Sequence, residues 1–448
     1  MHCPIPRSLA LAALFALPVT LSAQAAGKGG DALSAAERSI VRAVDTRASE
    51  GLALLERIVN INSGTMNFAG VRAVGDALRA EFDALGFTTR WVDGAPFERA
   101  GHLVAEFKGG GSGPQLLLIG HLDTVFEPGS PFQKFERLSD STARGPGIID
   151  MKGGDVIIVQ ALKALKATGA LAEMHVSVIM HGDEEKAGTP QDLAREDIRS
   201  LAKGARYAIG FEDGSGDPRT AVVARRSAGG WVLTSTGIPA HSSQIFREDI
   251  GFGAIYESAR VLNAFRERLA TQQYLTFNPG VALGGTDVRL DSTVTDGAAS
   301  GKTNVVAKSM QVSGDIRTIS PEQLAESKRV MQEIAAQSLP GTTSRITFDD
   351  GYPPMAPTDG NRELLARYDQ VSRALGYGAV VAVDPSKAGA ADVSFVAPFV
   401  SAAIDGVGLA GWDDHTDKET ADLRMLAPLT KRAAVLLYRL HAEGRPKA

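Results

Sequence analysis

Residues 116–123 read Leu116-Leu117-Leu118-Ile119-Gly120-His121-Leu122-Asp123. The apolar run fits a buried strand, and it stops on a histidine followed two positions later by a carboxylate. A histidine that binds a metal through one ring nitrogen needs a group that fixes the other. A nearby carboxylate does this while making the imidazole a better donor. The pair is a candidate ligand site whose worth depends on partners elsewhere in the chain.

Outward from this stretch the segments alternate between helix and strand. Val71, Val74, Leu78, Phe82 and Leu85 recur at helical spacing, and Gly86 closes them as a C-cap. Residues 88–92 and 103–107 are strand-like, with a turn at 109–113 before the apolar run. Beyond it, 156–166 reads as helix, 175–180 as strand and 190–203 as helix. The alternation predicts an α/β fold with a largely parallel sheet covered by helices. After Asp217 the order becomes strand (229–235), helix (253–269), two strands, helix (321–337) and strand (345–348), the order of a split βαβ sandwich. From Gly351 the α/β character returns, and the last helix, from about Pro428, carries Leu429, Ala433, Leu436 and Leu440 on one stripe. A chain of 448 residues is long for one core. The expected division is residues 26–222 and 350–448 for the two parts of a main domain, with an inserted domain at 223–349.

Hydrophobic residues at 44% and charged residues at 22% are ordinary for a globular protein and exclude wholesale disorder or a multispanning membrane protein. A net charge of -5 argues against a nucleic-acid partner, which needs concentrated positive charge, and leaves a small-molecule site as the better reading. At the N-terminus Arg7 precedes an apolar run at residues 9–21 that ends in Ser22-Ala23-Gln24-Ala25-Ala26. This is the layout of a signal peptide, residues 1–25, so the expected location is periplasmic or secreted. The run is short for a membrane anchor. Cys3, the only cysteine, would be removed with it. The mature chain would then have no thiolate ligands, and any metal must be held by histidine and carboxylate.

Ligands of open α/β sheets bind where strands end, and four further sites stand there. Asp150 lies between Gly145-Pro146-Gly147 and Lys152-Gly153-Gly154, where glycines allow close approach of the backbone; the plainer role is a helix cap. Glu184 and Glu185 follow the strand at 175–180 in an acidic cluster that a solvated loop would also explain. Glu212-Asp213 terminates residues 207–211, and His415 stands in Trp412-Asp413-Asp414-His415-Thr416-Asp417. Each alone is more often structural than catalytic.

Taken in order, His121-x-Asp123, Asp150-Met151-Lys152-Gly153-Gly154, Asp183-Glu184-Glu185-Lys186-Ala187-Gly188, Phe211-Glu212-Asp213 and Asp414-His415-Thr416-Asp417 resemble the co-catalytic zinc exopeptidases and amidohydrolases. That family includes aminoacylases, succinyl-diaminopimelate desuccinylases and carboxypeptidase G, and the likeness is closest to the glutamate carboxypeptidase branch. It extends through the insertion, with Gly237-Ile238-Pro239-Ala240-His241, Thr303-Asn304-Val305-Val306 and Asp315-Ile316-Arg317. The resemblance implies a zinc-exopeptidase catalytic domain carrying a ferredoxin-like dimerisation or lid domain, and two zinc ions per subunit. Asp150 would bridge them, His121 and Glu212 completing one site and Glu185 and His415 the other. Asp123 would orient His121. Glu184 would be the general base that takes a proton from the attacking water and delivers it to the leaving amine. His241 would reach the active site of a dimer partner and stabilise the oxyanion, although a lone exposed histidine is the plainer role. Arg317 would grip the substrate's free carboxylate, a task for a planar bidentate donor, with Asn304 assisting in the same pocket. Asp392 would have a supporting structural role, and a cis peptide at Asp150-Met151 is expected. His102, His175 and His441 are expected to be structural or exposed.

The departures from the family pattern fall where specificity is decided: Ala224-Arg225-Arg226-Ser227 replaces Gly-Thr-Ser-Gly, Asp413-Asp414 replaces Gly-Tyr, and Ser242-Ser243 replaces Ala-Gly. Arg225 and Arg226 could contact an acidic substrate or face solvent. The expected activity is hydrolysis of the amide bond of small peptides or N-acyl amino acids with a free carboxylate, in a homodimer without a stable membrane anchor. An aminoacylase or dipeptidase of the same chemistry is the neighbouring alternative. A periplasmic solute-binding protein shares the two-domain outline but has no need of Glu184 beside Glu185, and a dimeric protein with a dead metal site would bind no zinc.

Overall fold

A computed structural model describes residues 32–291 and 293–443; the signal peptide expected at 1–25 lies outside these. The main sheet has six strands in the order Thr88–Asp93, Gly101–Lys108, His175–His181, Gln115–His121, Tyr207–Gly210, Ala402–Ile404. The last four are mutually parallel, whereas the first two pair antiparallel with each other, and Gly101–Lys108 pairs antiparallel with His175–His181. The expectation of a largely parallel sheet is thereby refined to a mixed one. The link between the first two strands, residues 94–100, is too short for a crossover, and only antiparallel neighbours can be joined that way.

The helix Phe68–Leu85 buries Val71, Val74, Leu78, Phe82 and Leu85, is capped by the Asn67 side chain and ends on Gly86 at φ 88°, the left-handed region that glycine enters freely. The helix Lys152–Ala167 is buried on nearly every face, packed between the sheet and the final helix Leu426–Ala442. The predicted helix at 190–203 is two helices, Gln191–Ala194 and Glu196–Ala202, interrupted at Arg195. Arg195 turns its guanidinium into the protein, where it is fully buried among Asp183, Asp392 and Tyr352.

Between Thr220–Ala221 and Asp359–Ala374 the chain builds a separate antiparallel sheet, ordered Thr276–Gly285, Ser309–Arg317, Ala228–Gly237, Thr342–Tyr352, with the helices Gly253–Leu269 and Pro321–Ala336 on it. Trp231, Leu233, Val261, Phe265, Val312, Met331 and Ile346 form its own core. An extra hairpin, Asp287–Leu290 with Gly297–Ser300, was not expected from the sequence. Neither was a small sheet of Gly411–Trp412, Thr420–Asp422, Thr142–Arg144 and Glu136–Arg137, which fastens the loop after residue 412 to the segment before Asp150. Among the described residues no helix is long and apolar enough to cross a membrane.

Candidate metal centre

Strand order decides where the candidate ligands meet. Gln115–His121 lies between His175–His181 and Tyr207–Gly210, parallel to both, with His121 level with His181 and Ile119 level with Gly210. The loops after these three strands therefore leave the sheet side by side, carrying Asp123, Glu184-Glu185 and Glu212. His121, Asp150 and Glu212 present one ligand atom each within 4.8 Å of one another, and so do Asp150, Glu185 and His415. Asp150 divides its oxygens between the groups: Oδ1 lies 3.0 Å from His121 Nε2, and Oδ2 lies 2.8 Å from His415 Nε2. Glu212 Oε1 is 3.6 Å from His121 Nε2, and Glu185 Oε2 is 3.2 Å from His415 Nε2.

The donor set suits divalent cations. His121 Nδ1 faces the Asp123 carbonyl at 3.0 Å; a carbonyl only accepts, so Nδ1 carries the proton and Nε2 offers its lone pair toward two carboxylates, an arrangement that a cation between them satisfies. Glu185 Oε1 is buried with no protein partner. Burial first and the neighbouring Asp150 second push the Glu185 carboxyl up to about 7; burial also pushes Glu212 up to about 7, against the pull of His121. Crowded, buried carboxylates with imidazole and no sulfur are what hard or borderline divalent ions bind.

Several residues hold this arrangement. The Asp123 carboxylate accepts from Thr65 Oγ1 (2.7 Å) and from the backbone N–H groups of Glu184 and Glu185 (3.1 Å each), so it fixes the acidic loop as well as lying 3.5 Å from His121 Nδ1. The Asp150-Met151 peptide is cis. His415 has φ 58°, a left-handed backbone setting that residues other than glycine adopt uncommonly. Glu419, which the sequence reading missed, accepts from the N–H groups of Gly147 (3.0 Å), Ile149 (2.8 Å) and Asp150 (3.1 Å), tying the His415 loop to the Asp150 turn. Its signal is a carboxylate four residues past His415, too weak to find alone. Asp392 bonds His181 Nδ1 and Arg195, deep beneath the acidic loop. Burial opposes its ionisation, but Arg195 and His181 hold its carboxyl well below the usual range.

The insertion's candidates separate. Arg317 is partly exposed beside Asp315, at 3.4 Å, at the end of its strand near the junction with the main domain. His241 is exposed, with Nδ1 2.9 Å from Ser243 Oγ, and it bridges to Val305, next to Asn304, whose carbonyl accepts from Ser242 N at 2.9 Å. Asn304 thus sits with His241, beyond the Ser309 end of the strand Ser309–Arg317, which spans about 26 Å before it reaches Arg317, and within one chain the two lie at opposite ends of it. Arg225 neither faces solvent nor points to an open site: it is buried against Asp405 (2.8 Å) and the Gly389 carbonyl (2.7 Å). Arg226 donates to Thr276 Oγ1 and the Ser386 carbonyl. His102 and His441 are buried, and His175 faces the Gly111 carbonyl at 2.7 Å.

Carboxypeptidase G2 of Pseudomonas sp. (strain RS-16) is 27% identical over 394 residues, covering 87% of this chain and 88% of that protein. The fold is shared with aminopeptidase PepT of Bacillus cereus (TM-score 0.69, 19% identity, 88% of this chain and 98% of that one). It is shared too with Bacillus subtilis YXEP, a dinuclear metal binding peptidase (TM-score 0.60, 16% identity, 89% and 99%). Residues 117–439, a span that holds all five residues of the paired clusters, match the model of Peptidase family M20/M25/M40, and the chain belongs to that family.

Proposed function

We propose that the protein is a di-zinc exopeptidase of the carboxypeptidase G kind, which hydrolyses the amide bond of small peptides or N-acyl amino acids bearing a free carboxylate. The observation that carries this is the pair of clusters sharing Asp150, with Glu184 next in the chain to Glu185. His121, Asp150 and Glu212 would hold one ion, and Asp150, Glu185 and His415 the other. When bound, the ions would supply Lewis acidity at the scissile carbonyl and make water a stronger acid.

The remaining chemistry belongs to the chain. Glu184 accepts the proton of the attacking water and returns it to the leaving amine; burial holds its carboxyl well above the usual range, with Glu212 adding to the effect, which makes it a stronger base than a free carboxylate. Asp123 fixes the Glu184 and Glu185 amides, so the base keeps its aim. Arg317 grips the substrate carboxylate. The insertion, residues 223–349, is a ferredoxin-like dimerisation and lid domain, supported by its separate core and strand order, and it brings His241 and Asn304 to the site of a partner subunit. The exposed Phe246, Ile255 and Tyr256 on the same side support a homodimer. Export rests on the signal peptide read at residues 1–25 and would leave Ala26 as the first residue of a periplasmic or secreted protein.

The test is Glu184→Gln. Zinc content should stay at two per subunit while turnover of the best substrate in a panel of N-acyl amino acids, dipeptides and C-terminal-glutamate peptides falls by roughly 10²–10⁴-fold. Wild-type turnover in that variant would sink the mechanism. The panel also separates a carboxypeptidase from an aminoacylase or dipeptidase, and a strictly monomeric, fully active enzyme would remove the partner role of His241.

A further inference from the structure

The insertion joins the main domain through two strands that run side by side. Arg225 and Met355 exchange both main-chain hydrogen bonds, at 3.0 and 2.9 Å, and Tyr352 pairs with Ala228 at the root of the insertion's sheet. Each strand sends one side chain toward the metal centre. The Tyr352 hydroxyl donates to the Glu184 carbonyl at 2.9 Å and accepts from Arg195 Nη2 at 2.7 Å. Arg195 cannot move away, because it also donates to Asp183 Oδ1 (2.6 Å) and Asp392 Oδ1 (2.8 Å) and its ion pairs are fully buried. The backbone of Glu184 is thus held on both sides, its N–H by Asp123 Oδ1 at 3.1 Å and its carbonyl by a residue of the hinge. On the other strand Arg225 donates to Asp405 Oδ2 at 2.8 Å, and the second oxygen of that carboxylate accepts the Glu212 N–H at 3.3 Å and the Gly406 N–H at 2.7 Å.

We propose that Tyr352 and Arg225 are positioning residues that couple the setting of the interdomain hinge to the active centre, Tyr352 aligning Glu184 and Arg225 aligning Glu212 through Asp405. The inference rests on the reading of Glu184 as base and Glu212 as metal ligand. The geometry gives the coupling its selectivity. The strand leaving the insertion bears on the acidic loop through the peptide that joins Glu184 to Glu185, and the strand entering it bears on Glu212, so a change in either strand disturbs a different part of the site.

The experiment compares Tyr352→Phe, Arg225→Lys and Val261→Ala in the full-length, zinc-loaded enzyme. Val261 is buried in the insertion's core on the helix Gly253–Leu269 and lies on neither strand of the junction, so its variant supplies loss of stability without loss of alignment. Tyr352→Phe keeps the ring and removes the bond to Glu184; kcat should fall about 10- to 100-fold, the penalty of small misplacements of a reacting group, with KM within about twofold and two zinc ions retained. Arg225→Lys keeps a cation against Asp405, which guards the fold, but loses the fixed fork of the guanidinium. It should release one of its two zinc ions at about tenfold lower chelator concentration, the lower end of the loss that follows when outer supports of a ligand are altered.

Wild-type kcat in Tyr352→Phe, or an equal fall of kcat in Val261→Ala, would overturn the role of Tyr352. Unchanged chelator resistance in Arg225→Lys would overturn that of Arg225. The underlying reading fails separately, through full activity of Glu184→Gln, and the chelator measurement needs no substrate.

Discussion

His102 ties the stability of the main domain to pH in a way that can be worked through. The ring is fully buried, stacked on Phe97 at 5.0 Å and edge-on to His181 at 4.4 Å. Its Nδ1 accepts from the Gly182 N–H at 3.2 Å, so the proton sits on Nε2, which faces the Ala194 carbonyl at 3.0 Å. Both nitrogens are used by the neutral ring, and a second proton would displace the Gly182 bond. Burial, with the neighbouring His181 second, pushes the group down to about 3. In the unfolded chain it titrates near 6.5. The unfolded state therefore binds the proton first, and the stability contributed by His102 is complete above pH 6.5 and is lost as pH falls toward 3. From pH 7.5 to 5.5 the loss is about 1.4 kcal/mol, and by pH 4.5 about 2.7 kcal/mol. His102→Gln can keep both hydrogen bonds and does not titrate. Denaturant unfolding of the two proteins from pH 7.5 to 5.5 should show the wild type losing about 1.4 kcal/mol more than the variant. Metal release in acid is common to both and cancels in the difference. Parallel stability curves would refute the reasoning.

Arg195→Met should destabilise by about 3–5 kcal/mol in denaturant unfolding, because two buried carboxylates lose their shared cation; a loss below about 1 kcal/mol would mean that Asp183 and Asp392 are satisfied without it. Gly154→Ala would set a Cβ 1.9 Å from the Phe211 carbonyl oxygen, so the strand that delivers Glu212 must shift, and a fall in stability of about 1–3 kcal/mol is expected by thermal unfolding. Glu257 is buried in the insertion; burial opposes its charge, but Arg260, the Leu339 amide and Ser344 hold its carboxyl below the usual range. Its stabilisation is present above about pH 4.5 and is lost as pH falls through the lowered value, and Glu257→Gln should remove that acid-dependent part of the unfolding profile.

The sequence was legible where a residue's role follows from its own neighbours. His121, Glu184-Glu185 and Glu212 each stand just past an apolar strand, and the parallel order of those strands is enough to bring them together. The helix at Phe68–Leu85 was legible from five apolar positions and a terminal glycine. Strand direction was not, because an apolar run reads the same whether its neighbour is parallel or antiparallel. Nor were Glu419, Arg195 and Tyr352, whose partners are main-chain groups or charges far along the chain; nothing in the local pattern marks a carboxylate that will accept three amide protons. Arg195 was hidden further by lying in a segment with helical periodicity, where it reads as an ordinary exposed cation.

The position of the insertion gives the division of the site a physical basis. It interrupts the chain after Glu212 and before His415, so the cluster of Asp150, Glu185 and His415 is completed only when the last segment returns, pairing Ala402–Ile404 with residues 207–209 and Thr420–Asp422 with residues 142–144. Closing a long loop costs only about 0.6 kcal/mol more for each doubling of its length, and here the loop is shortened in effect, since the entering and leaving strands are already paired at Ala228–Tyr352 and Arg225–Met355. A domain can therefore be carried at this point with little loss to the main sheet. Its hinge falls within one hydrogen bond of Glu184 through Tyr352 and within two of Glu212 through Arg225 and Asp405. An insertion elsewhere on the sheet would have no direct hold on either residue.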